Sequence, residues 1–179
     1  MSRSNIFLEL ITGAGPVVGE GLLEGWEGSV EVLQFGWGMT ALKDPKSRAG
    51  GLASAAAAVA GLVRPVSVQM APLTFTKRFD VGSSQMHFCL DNHLPVVSAT
   101  LTVLHIKQQG RAIHQPGFVL TCTQGYFSEC ALEVRDNGNA KDVLEHWTLN
   151  FKNIQLTYLK TLGKDSLPTA PFFHPVAVA

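Results

Sequence analysis

PVSVQMAPLTFTKRFDVGSSQMHFCLDN, residues 65–92, changes its periodicity half-way along. Its first half alternates as a strand does. Val66, Val68 and Met70 share one face, and after Pro72 the apolar set resumes in a shifted phase at Leu73, Phe75 and Phe79. A bulge or a barrel corner at Pro72 produces such a shift. Lys77 falls in the apolar phase, so it is expected to snorkel or to reach an edge. In the second half Met86, Cys89 and Leu90 recur at helical spacing. Ser83 or Ser84 is placed to cap this helix, and Asn92 and Pro95 to end it.

The chain on either side reads as strands. Asn5 to Ile11 is a first strand, followed by a loop rich in glycine from 12 to 28. GAGPVVGEG does not make a dinucleotide fingerprint: Val18 stands at its last glycine position, Pro16 interrupts it and no helix follows. Ser29 to Thr40 is a second strand, with Leu33, Phe35, Trp37 and Met39 on one face. Pro95 to Lys107 is β-branched, with Val97, Ala99, Leu101 and Val103 on one face. Gln108 to Pro116 reads as a turn region. Gly117 to Thr123 and Tyr126 to Val134 are one bent strand or two joined at Gln124 and Gly125. Leu144 to Leu159 closes the domain, and its apolar face shifts from Trp147, Leu149 and Phe151 to Ile154, Leu156 and Tyr158. About seven strands and one helix in roughly 150 residues predict a mainly β fold, an antiparallel β-barrel with one short flanking α-helix. The barrel domain is expected over residues 1–160, with an Ala-rich insert at 41–64 and a Pro-rich tail at 161–179.

Composition narrows the function. Hydrophobic residues make up 46%, enough for a core, while charged residues are only 16%. That is below the usual share of about 25% and suits a surface covered by other copies of the chain. Net charge is zero, with 14 basic and 14 acidic residues. Broad electrostatic binding to nucleic acid or to an anionic membrane is therefore not expected. No apolar run approaches the roughly 20 residues of a membrane helix. The opening MSRSNIFLELITGAG is too short in apolar residues for a secretory signal, so a cytoplasmic origin is expected, with any export needing no cleaved signal. Cys89, Cys122 and Cys130 are an odd set without CxxC spacing and read as buried free thiols.

Chemistry candidates cluster near the helix. Ser83, Ser84, His87, Asp80 and Asp91 lie close in sequence, but there is no GxSxG elbow, and the serines suit capping. His87, Cys89, Asp91 and His93 converge neither on a helix nor at a known metal spacing. No catalytic, cofactor-binding or metal-ligating residue is therefore assigned, and the chain is not expected to be an enzyme. Two alternatives stand beside a structural role. One is a barrel that binds a small molecule; the other, weaker, is a hydrolase built on residues 80–93.

The ordered set GEGLLEGWEGSVEVLQFGWGM (Gly19 to Met39), LTFTKRFD (Leu73 to Asp80), the helix with Met86 to His93, SATLTV (Ser98 to Val103) and EHWTLNFKNIQLTY (Glu145 to Tyr158) resembles the haemolysin-coregulated protein family, Hcp. That family forms the tube of the type VI secretion system, and the resemblance spans roughly residues 5–160. It implies a compact β-barrel with a flanking helix, hexameric rings stacked into a tube, and secretion with effectors in the channel. Sheath, spike and effector proteins are the implied partners, with no cofactor. Trp26 departs from the family, where a His is common in a GExxxxxHEG-like stretch. The 41–64 insert is longer and richer in Ala than the usual loop, and the tail runs past the usual end. The insert is expected at ring stacking or the channel rim, with Lys43, Asp44, Lys46, Arg48, Leu52, Val59 and Leu62 as assembly residues.

Overall fold

In a computed structural model of the chain, the described residues are 4–41, 68–109, 111–136, 138, 141–159 and 172–175. In chain order the elements are β1 (Ile6–Thr12), β2 (Gly15–Val17), β3 (Val30–Gly36), β4 (Met39–Ala41), β5 (Val68–Met70), β6 (Leu73–Arg78), α1 (Ser83–Asp91), β7 (Val96–Gln109), β8 (Arg111–Asp136), β9 (Lys141–Asn150), β10 (Asn153–Tyr158) and β11 (Phe172–Pro175). Two compact units are present, one of Met1–Gly36 with Pro72–Ala179 and one of Trp37–Ala71. In the smaller unit β4 and β5 pair antiparallel, with Met39 opposite Met70, and the Ala71 N–H donates to the Gly38 carbonyl at 2.9 Å.

In the larger unit nine strands form one sheet. β8, β7, β1, β3, β6 and β9 are neighbours in that order, and β9 pairs back onto β8. The hydrogen-bonded path therefore closes on itself through antiparallel pairs, giving a strongly curved, mainly β fold with one short helix, as expected. Closure removes unpaired edges along that circuit.

β8 makes closure possible by changing partners. Its residues Phe118 to Thr123 lie between β7 and β10, whereas Tyr126 to Asp136 pair with β9. The change falls at Gln124 and Gly125, so the two apolar runs belong to one strand that bends. Gln124 has φ 55°. At Gly125 a Cβ would stand 2.5 Å from the Asn150 carbonyl oxygen, so only glycine lets β8 pass the end of β9 this closely.

Several local expectations are corrected. Gln108 to Pro116 is not a turn region: β7 and β8 continue as a hairpin, pairing Leu104 with Pro116 and Gln109 with Arg111. The backbone ladder that joins the two strands here needs no apolar alternation in the sequence. In β3 the buried residues are Val30 and Val32, because the register with β6 shifts between Val32 and Gln34. Val97 is exposed and Val96 buried, again beside a register shift, here between Ile11 and Thr12 of β1. Phe79 has left the strand and is exposed, and Leu90 is half-buried. The closing segment is two strands, broken at Phe151 and Lys152, which accounts for its change of face. Part of the tail is strand: β11 pairs with β10, Phe172 opposite Leu156.

The core is mainly aliphatic, with Leu8, Val30, Val32, Leu73, Leu101, Leu120 and Leu149 fully buried, and it includes the aromatic rings of Phe7, Phe75, Phe127 and Trp147. Each such side chain contributes about 1.5–3 kcal/mol. Trp26, from the glycine loop, stacks on Phe7 with ring centroids 5.6 Å apart. Replacing Gly125 with Ala is expected to lower stability by about 1–3 kcal/mol, read as a shift of the denaturant midpoint at unchanged slope. An unchanged midpoint would show that β8 does not need this close passage.

Candidate functional site

The inward faces of β6 and β9 face each other in register. Leu73 pairs with Leu149, Phe75 with Trp147, and Lys77 with Glu145. Two apolar cross-strand pairs thus fix the register that sets one ion pair opposite itself, inside the fold. Lys77 and Glu145 are both 0% exposed. Lys77 does not snorkel or reach an edge, because α1 covers it and brings acceptors to it.

Lys77 Nζ lies 2.7 Å from Glu145 Oε2, 2.7 Å from Ser83 Oγ, 2.9 Å from Asp80 Oδ1 and 2.9 Å from the Arg78 carbonyl. Three protons therefore serve four acceptors. Ser83 Oγ accepts from the Asp80 N–H at 2.9 Å and donates to Glu145 Oε2 at 2.7 Å. Ser83 is consequently not a cap. Gly82 occupies that position without a side-chain cap bond, while Asp80 Oδ1 accepts from the Gly82 N–H at 3.0 Å. The serine hydroxyl is committed to the ion pair instead.

The other Glu145 oxygen, Oε1, is 2.8 Å from His87 Nε2. The His87 ring lies against Trp147, with centroids 4.9 Å apart, and Trp147 in turn meets Phe127 at 4.9 Å. Cys130, on β8 opposite Trp147, places its Sγ 4.0 Å from His87 Nε2. Burial pushes the Glu145 carboxyl up, but hydrogen bonds from Lys77 and Ser83, the Lys77 charge and the His87 contact outweigh it and hold it below the ordinary carboxylate range. Burial, then the Glu145 charge, push the Cys130 thiol up to about 11, and burial alone pushes Cys122 up to about 12.

Of the chemistry candidates near the helix, Asp80, Ser83 and His87 join this network. Ser84, Asp91 and His93 are exposed and take no part in it, and Cys89 faces the core. Lys77, Glu145 and Cys130 were not singled out as chemistry, although Lys77 and Glu145 each stand in the inward phase of a strand. The hydrolase alternative fails on this geometry: Ser83 is fully buried with its hydroxyl given to a carboxylate. On the opposite face of the sheet a polar chain crosses four strands. Gln34 Nε2 donates to Thr76 Oγ1 at 3.2 Å, Thr76 meets His146 Nδ1 at 3.0 Å, and His146 Nε2 meets Glu133 at 2.9 Å. Hydrogen bonds from Arg135 and His146 hold Glu133 below the ordinary carboxylate range. An open groove of about 380 Å³ follows this chain along Thr74, Thr76 and His146. The expected assembly residues Lys43, Asp44, Lys46, Arg48, Leu52, Val59 and Leu62 lie outside the described residues. Among the described residues no helix is long and apolar enough to cross a membrane.

The family described as type VI secretion system effector, Hcp, matches residues 7–158. The chain belongs to the Hcp family. It is accordingly a structural, secreted tube protein of the type VI secretion system rather than an enzyme, and it self-assembles into rings. Its fold is similar to a doubly substituted Hcp1 from E. coli EAEC 042 at 18% identity, covering 93% of this chain and 98% of that one with a TM-score of 0.66. It is also similar to a type six secretion system protein at 16% identity, 98% and 96% coverage and a TM-score of 0.73. Hcp1 from Salmonella typhimurium aligns at 17% identity, with 93% of each chain covered and a TM-score of 0.63. At these identities the likeness is one of fold. A search among curated proteins found no match.

In this Hcp chain the Lys77 network fastens α1 to the closed sheet. Lys77→Met leaves the buried Glu145 without its ammonium and is expected to cost about 3–5 kcal/mol. The double replacement Lys77→Met with Glu145→Leu is expected to cost less than Lys77→Met alone. Urea unfolding of the three proteins checks this; a double variant weaker than the single one would contradict the pairing.

Proposed function

We propose that this Hcp chain closes into hexameric rings that stack into the inner tube, assembled in the bacterial cytoplasm and then expelled with effectors in its channel. A sheath around the tube and a spike at its tip are the corresponding partners. The observation that carries the subunit contact is an apolar strip at the paired ends of β8 and β9. Leu132 and Val134 are 60% and 64% exposed, and Val143, opposite Val134, is also exposed. They continue the face that carries Cys130 and Trp147 beyond the reach of α1. Apolar side chains in such a row lose their contact with water only against another surface. A head-to-tail contact whose rotation closes yields a ring.

The domain plan fits the same role. Residues 1–160 form the ring subunit, and the 41–64 insert, which β4 and β5 bracket, serves contact between rings. The tail at 161–179 adds a strand to β10 through residues 172–175.

Native mass spectrometry and negative-stain images of the full chain test this reading, and six-membered rings are expected. Leu132→Asp together with Val134→Asp is expected to shift the mass to monomer while the circular dichroism of the barrel is retained. Rings that survive both substitutions would move the contact elsewhere, and a wild-type chain that stays monomeric at every concentration would overturn the tube role.

A further inference from the structure

The Lys77 network is not electrically balanced. One ammonium faces two carboxylates, Asp80 and Glu145, in a site where Glu145 is fully buried. Glu145 Oε2 already accepts from Lys77 and Ser83, so Oε1, which meets only His87 Nε2, is the oxygen left to turn toward a cation. Around Oε1 stand two further donor atoms from two other elements: His87 Nε2 of α1 and Cys130 Sγ of β8. The three atoms lie within 4.8 Å of one another. Lys77 and Ser83 orient the carboxylate through its other oxygen, Oε2, and Trp147 supports the His87 ring. Outer partners of that kind hold ligands in place at protein metal sites. Access is available, since His87 is 37% exposed and Cys130 is half-buried.

We propose that His87 Nε2, Cys130 Sγ and Glu145 Oε1 bind one thiophilic divalent cation of the zinc class, with water in the fourth position. An imidazole, a thiolate and a carboxylate oxygen are a borderline-soft set, which favours zinc or cobalt over magnesium or calcium. Zinc bonds of about 2.0–2.3 Å place tetrahedral ligand atoms about 3.3–3.7 Å apart. The His87–Glu145 contact of 2.8 Å therefore opens by roughly half an ångström, and the His87–Cys130 separation of 4.0 Å closes by a few tenths. On binding, the thiol proton leaves to solvent, and the proton with which His87 Nε2 bonds Glu145 gives way to the cation, so that the neutral imidazole carries its single ring proton on Nδ1. The cation then ties α1 to both β8 and β9, at the point where Lys77 holds it to β6.

The test is titration of the full chain, stripped with a chelator, with cobalt(II) and then zinc(II). One equivalent per subunit is expected. Cobalt is expected to give a thiolate charge-transfer band that zinc abolishes, and zinc is expected to raise the melting temperature. Cys130→Ser is expected to remove the band. His87→Gln is expected to weaken binding by more than about tenfold, the loss that even an outer partner causes. Both positions are partly exposed, and melting curves without metal confirm that the variants fold. His93→Ala, at an exposed position outside the cluster, is expected to leave binding unchanged. Absence of a thiolate band, a band that survives Cys130→Ser, or affinity unaffected by His87→Gln would overturn the site.

Discussion

One buried cross-strand pair, Lys77 with Glu145, sets conditions that the rest of the larger unit meets. A lysine that is fully removed from water must have its three protons accepted, and a buried carboxylate must have its oxygens paired. β9 supplies Glu145 by register with β6. α1 supplies Ser83, and the turn before it supplies Asp80. The helix is therefore placed by polar chemistry as much as by Met86 and Cys89, which enter the core beside it. Removing Lys77 strands Glu145 and removing Ser83 or Asp80 takes an acceptor from Lys77, so the arrangement favours a single seating of the helix.

Closure of the sheet is the second constraint. It depends on β8 serving two sets of partners, and on Gly125 allowing the close passage at Asn150. Once the sheet is closed and the helix seated, the polar groups that look most like catalytic ones are spent internally. Ser83 is inside, and Glu145 is engaged at both oxygens. Among the described residues, the paired ends of β8 and β9 instead turn an apolar row outward, in a chain that is only 16% charged. That is the chemistry of a subunit, in agreement with its membership of the Hcp family.

Much of this was legible in the sequence, and the illegible part has a physical pattern. Alternation in Leu73 to Lys77 and in Glu145 to Leu149 marked the strands and their inward faces. The shift to helical spacing at Met86 and Cys89 marked α1. The ordered segments pointed to the family. Lys77 was visibly out of place in an apolar phase, yet its partner lies 68 residues away, and only the register of two apolar pairs joins them. Cys130 and His87 meet for the same reason, through the bend in β8. Faces were misassigned where a register shift intervenes, at Val32 in β3 and at Val97 in β7, because one extra residue inverts the phase without leaving a compositional mark. The β7–β8 arm does not show in the sequence because Gln108 to Pro116 carries no clear apolar alternation, and a backbone ladder can form without one.

Amide hydrogen exchange on α1 tests most directly whether the helix and the sheet are one cooperative unit. The N–H groups of Met86 and Asn92 are bonded within the helix region, to Gly82 and Phe88. If the Lys77 network seats α1 as described, these amides exchange with the same opening free energy as those of β6 and β9, since the helix leaves only when the sheet opens. Exchange of α1 at a distinctly lower free energy, with β6 and β9 still protected, would contradict the account.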